Sequence, residues 1–147
     1  MKRHGERGAS LPEAAIVMTL LLTFMFGVVD FGRAFYTYGL VGHLARQGAR
    51  WAIVRGSQCS GLDHCPAQPG AADIQPYIRS LSEGATDPTQ ITAQLSFPSC
   101  TGASGGANDA PGCVAQVTVT YPFSFLLPFV HSGQITMTSS SQMVISN

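Results

Sequence analysis

Between Ala9 and Val29 the chain runs for 21 residues with one charge, Glu13. At about 1.5 Å rise per residue, a helix of that length spans roughly the ~30 Å hydrocarbon core of a bilayer. It exceeds the ~7 to 15 residues of a secretory h-region, and the nearest small-x-small site, Gly32-Arg33-Ala34, leads into an aromatic helical stretch. A membrane helix and its extension take nearly 50 of the 147 residues, leaving about 95 for one small domain.

Charge and cysteines agree on the topology. Charged residues are 11% of the chain and the formal net charge is zero, so no nucleic-acid partner is expected. Lys2, Arg3 and Arg7 precede the span and hold that end in the cytoplasm by the positive-inside rule. Cys59, Cys65, Cys100 and Cys113 all follow the span, where an oxidising compartment pairs thiols. Three pairings exist; Cys59 with Cys65 and Cys100 with Cys113 are favoured because each closes a short Gly- and Pro-rich loop. Cys59, Asp63, His64 and Cys65 match no common zinc spacing, and no metal is expected.

Helical spacing continues past Val29 to about Val54, with Phe31, Phe35, Tyr38, Ala45, Ala49 and Ala52 read as one face and Gly56 as the stop. Gly27, Gly32, Gly39, Gly42 and Gly48 either admit close helix approach in an assembly or fit beneath the domain's own sheet. Asp30 and Arg33, three apart where the helix leaves the membrane, read as an interfacial ion pair. Phe35, Tyr36 and Tyr38 read as an aromatic belt or as packing.

Asp73 to Ser82 reads as a short helix capped by Asp73, with Pro76 in its first turn and Ile74, Tyr77, Ile78 and Leu81 on its apolar face. Alternation predicts strands over Ile91–Phe97 and Ala115–Tyr121, and a third over Gln134–Ile145 whose register is blurred by Ser139-Ser140-Ser141. The apolar connection Pro122–Val130 is too short to span a bilayer and either covers the sheet or forms an interface. No Ser/His/Asp set, phosphate loop or carboxylate pair emerges, so neither catalysis nor a cofactor is expected.

Glu13 inside the apolar run requires an explanation. Ser10-Leu11-Pro12-Glu13 fits a capping box. Gly8 followed five residues later by Glu13, between a basic leader and a membrane helix, instead resembles the cleavage site of type IV prepilins, which implies a cut between Gly8 and Ala9.

From Gly8 to Gly56 the chain resembles the TadE family, minor pilins or pseudopilins of the tight-adherence (Flp) pilus system. The motifs are the Gly8/Glu13 junction, the span, Asp30-Phe31-Gly32-Arg33-Ala34, and Ala45-Arg46-Gln47-Gly48-Ala49-Arg50 followed by Ala52-Ile53-Val54-Arg55-Gly56. The resemblance implies a pilin-like α+β fold, in which a long N-terminal transmembrane helix continues outward to a small antiparallel three-stranded sheet with a short helix. It divides the chain into a cytoplasmic leader (1–8), a transmembrane helix (9–29), a periplasmic extension (30–55) and a disulfide-stapled periplasmic domain (56–147). Processing falls to Gly8, Ala9 and Glu13, and assembly to Glu13, Asp30 and Arg33. The implied partners are prepilin peptidase, other pilins or pseudopilins, Tad inner-membrane assembly proteins and membrane lipid. The alternative is an uncleaved, membrane-anchored periplasmic binding module.

Overall fold

A computed structural model of the chain describes residues 10–55, 71–99, 111–126 and 134–145. Helix α1 covers Ser10–Val54, 45 residues, or roughly 67 Å of helix. From Leu11 to Val29 every residue except the half-buried Gly27 is exposed. From Asp30 onward one stripe turns inward: Asp30, Thr37, Val41, Leu44, Ala45, Gly48, Ala49 and Ala52 are buried. Their spacing of three and four residues is that of one helix face.

This stripe corrects the expected face in part. Ala45, Ala49 and Ala52 lie on it, but Phe31 is 72% and Phe35 73% exposed, and Tyr38 is exposed too. Small side chains face the sheet because they let a helix backbone approach closely, while the aromatics stay outside. Trp51, by contrast, is buried and stacks on Tyr77 with ring centroids 5.8 Å apart, and the Arg55 guanidinium lies 4.7 Å from its ring centroid. The expected stop at Gly56 lies outside the described residues.

Helix α2 is Ala71–Ser82, with Pro76 inside it. Asp73 is therefore a first-turn residue rather than the cap, placed where a carboxylate suits the positive helix end. Ile74 and Ile78 are fully buried, each worth roughly 1.5–3 kcal/mol. Leu81 is exposed; Ser82 is buried instead and its hydroxyl donates to the Arg79 carbonyl at 2.8 Å. Gly84, at φ 84°, ends the helix in the left-handed region that glycine enters without a Cβ penalty.

Strands β1 (Thr92–Ser96), β2 (Val114–Phe123) and β3 (Ile135–Val144) form an antiparallel sheet in the order β1-β2-β3. The central strand sends Ala115, Val117, Val119 and Phe123 into the core, with Gln116, Thr118 and Thr120 on the other face by strand alternation. β3 runs through its serines without a break, Ser139 opposite Val119 and Ser141 opposite Val117. A Cβ placed on Gly42 would lie 3.7 Å from Ser139 Oγ, an ordinary contact, so the serine faces the helix at Gly42.

Gln75 of α2 closes the outer edge of β1. Its amide accepts the Ala93 N–H at 2.6 Å and donates to the Ile91 carbonyl at 2.5 Å, pairing backbone groups that an edge strand would otherwise leave open. The core thus lies between two layers, the sheet on one side and α1 with α2 beside it on the other, and Gly48 is where helix, sheet and α2 meet. A Cβ there would stand 2.8 Å from Val117 Cγ1 and 3.1 Å from Ile78 Cδ1.

Candidate functional site

The buried stripe of α1 begins with a charge. Asp30 is 3% exposed and its carboxylate accepts the Leu126 N–H, at 2.9 Å to Oδ2 and 3.3 Å to Oδ1. Arg33 Nη1 donates to Asp30 Oδ1 at 3.0 Å from the next turn. The strand parity that buries Ala115, Val117 and Val119 also turns Phe123 inward. The chain leaves β2 just after it, which carries Leu126 back to the helix. The Arg33 guanidinium lies 5.5 Å from the Phe123 ring centroid, and Phe125 meets Phe123 edge-on at 5.2 Å.

The ion pair expected of Asp30 and Arg33 forms, but its two ends differ. Arg33 remains 46% exposed on its side chain while Asp30 is enclosed. A carboxylate withdrawn from water needs donors to replace its hydration, and a guanidinium and a backbone N–H supply them here. Hydrogen bonds to an ionised group are worth about 1.5–3 kcal/mol. Sequence spacing could find Arg33, three residues on, but not Leu126, 96 residues away.

Beside this cluster is a polar cleft of about 280 Å³, lined by Arg33 and Tyr36 of α1, Thr86 and Asp87 of the turn after α2, and Phe123 and Ser124. Thr86 Oγ1 is buried and has no hydrogen-bond partner among the described residues, a position no sequence pattern marks. The Asp87 carboxyl is held below the usual carboxylate range, first by the Thr89 hydroxyl, then by the Thr89 N–H, with Gln90 adding to them against a small burial penalty.

The other expected site residues are dispersed. Glu13 is an exposed residue of the first turn of α1, with no hydrogen-bond or ion-pair partner among the described residues. Gly8 and Ala9 lie outside the described residues. So do Cys59, Asp63, His64, Cys65 and Cys100, and with them the first expected cysteine pair. Cys113 is buried next to β2 and is not a free thiol. Among the described residues no three His, Cys, Asp or Glu side chains gather as a metal site.

Residues 8–50 match the family model described as TadE-like protein. The match covers the Gly8 junction, the exposed apolar half of α1 and most of its buried stripe, and bears out the family resemblance as far as Arg50; the Ala52–Gly56 motif lies beyond it. No curated protein and no solved structure matches the chain.

Proposed function

We propose that this protein is a minor pilin or pseudopilin that takes part in assembly of a tight-adherence pilus and is cut by prepilin peptidase after Gly8. The observation that carries this reading is the division of α1 at Asp30. The half before it exposes apolar side chains on every face, as a helix solvated by lipid does, and the half after it buries one stripe against the sheet. The TadE-like match runs across that division.

On this reading α1 is a single-pass anchor in the bacterial inner membrane, with its N-terminus cytoplasmic and the sheet domain periplasmic. Its role is assembly with other pilins, pseudopilins and Tad inner-membrane proteins, not catalysis. Glu13 then lies at the membrane edge with no partner in its own helix. Cleavage creates a positive amine at Ala9, of this subunit or a neighbour, whose pairing offsets the desolvation of both charges. A Cys100–Cys113 disulfide is supported by their neighbours: the Val114 N–H donates to Ser99 Oγ at 2.8 Å, which brings the two strand ends side by side.

Mass spectrometry of the membrane-extracted protein tests the processing step, with Ala9 expected as the N-terminus. Crosslinking to a major pilin in the same cells tests the assembly role. An intact Met1 in cells that contain the peptidase would instead favour the uncleaved binding module.

A further inference from the structure

We propose that the residues just after β2 make a second membrane contact, with Phe125 and Leu126 seated in the outer leaflet. The inference rests on the single-pass reading above. If α1 crosses the bilayer from about residue 10, its twenty residues to Val29 rise roughly 30 Å. Asp30 then stands where hydrocarbon gives way to headgroups. Leu126 is hydrogen-bonded to that residue, so the connection is held at the same depth as the end of the span.

The chemistry there suits lipid. Pro122 to Leu126 carries no charge, Leu126 is 67% exposed, and Phe31 on the adjacent helix turn is exposed as well. Aromatic and apolar side chains at this depth partition into the interface. Leu126 is bonded to Asp30, the residue that follows the exposed apolar run ending at Val29, and on the single-pass reading that run faces lipid, which is why a bilayer, rather than a second copy of the chain, is the assigned occupant.

The test uses the full chain in phosphatidylcholine–phosphatidylglycerol vesicles with lipids brominated at shallow or deep acyl positions. Leu126→Trp and Phe24→Trp report separately. Trp51, about 30 Å along α1 from Asp30, is subtracted with the parent chain. Phe24→Trp should be quenched by the deep label, and Leu126→Trp by the shallow label, with blue-shifted emission and shielding from acrylamide. Adding Asp30→Ala should abolish the Leu126→Trp quench and leave that of Phe24→Trp intact. Failure of Phe24→Trp to quench would remove the single-pass reading. A quenched Phe24→Trp beside a Leu126→Trp open to acrylamide would overturn the seat alone. Shielding of Leu126→Trp without bromolipid quenching would mean that protein covers it, which also overturns the proposal.

Discussion

The carboxylate of Asp30 accepts the backbone N–H of Leu126 at 2.9 Å across 96 residues of sequence. It fastens the chain just after the central strand to the helix where the apolar run stops. Asp30→Ala removes the acceptor for Leu126 and the partner of Arg33, and should cost about 2 kcal/mol in unfolding free energy. Asp30→Asn keeps an acceptor and should cost less. Equal loss in the two variants, measured by denaturant unfolding in detergent, would mean that charge rather than the hydrogen bond matters.

The glycines of α1 should separate by position. Gly48→Ala forces a Cβ to 2.8 Å from Val117 Cγ1, and overpacking of that kind costs about 1–3 kcal/mol. Gly39→Ala meets nothing within 4 Å and should stabilise the helix by up to ~1 kcal/mol. Thermal unfolding of the two single variants should therefore move in opposite directions.

Non-reducing peptide mapping of exported protein should link Cys100 to Cys113 and Cys59 to Cys65 with no free thiol. Cys100→Ser should lower protein abundance, since losing a small domain's disulfide costs about 2–5 kcal/mol. Crossed linkages would reject the local-loop pairing.

Glu13 should matter for assembly and not for insertion. Glu13→Gln makes the span more apolar, so membrane extraction should recover it as efficiently as the parent, while pilus formation falls. Normal pili from Glu13→Gln and Glu13→Ala would show that no pairing with the Ala9 amine is needed.

Asp87 should titrate below the ordinary carboxylate range in carbon-detected NMR, with the Thr89 amide shift following it. Its folded pKa is lowered, so its contribution is present above the unfolded-state pKa and is lost as pH falls through the folded value. Thr89→Ala should move the titration back upward.

Sequence alone determined the elements of this protein. The apolar run and the uninterrupted helical spacing specified α1, and strict alternation specified β1 and β2, because both signals are local periods of the chain. Tertiary structure decided which faces meet. Phe31, Phe35 and Tyr38 have the more hydrophobic spacing, yet the sheet takes Asp30, Thr37, Val41 and Gly48, because close packing of a helix on a sheet selects by size and shape at the contact. Ser139 and Ser141 looked like a break in β3 and are the small residues of a continuous strand paired with Val119 and Val117. Gln75 completes the β1 edge, and Leu126 completes Asp30, over separations at which no spacing rule operates. Each of these depends on a partner brought near only by folding, and that is the information a local pattern does not contain.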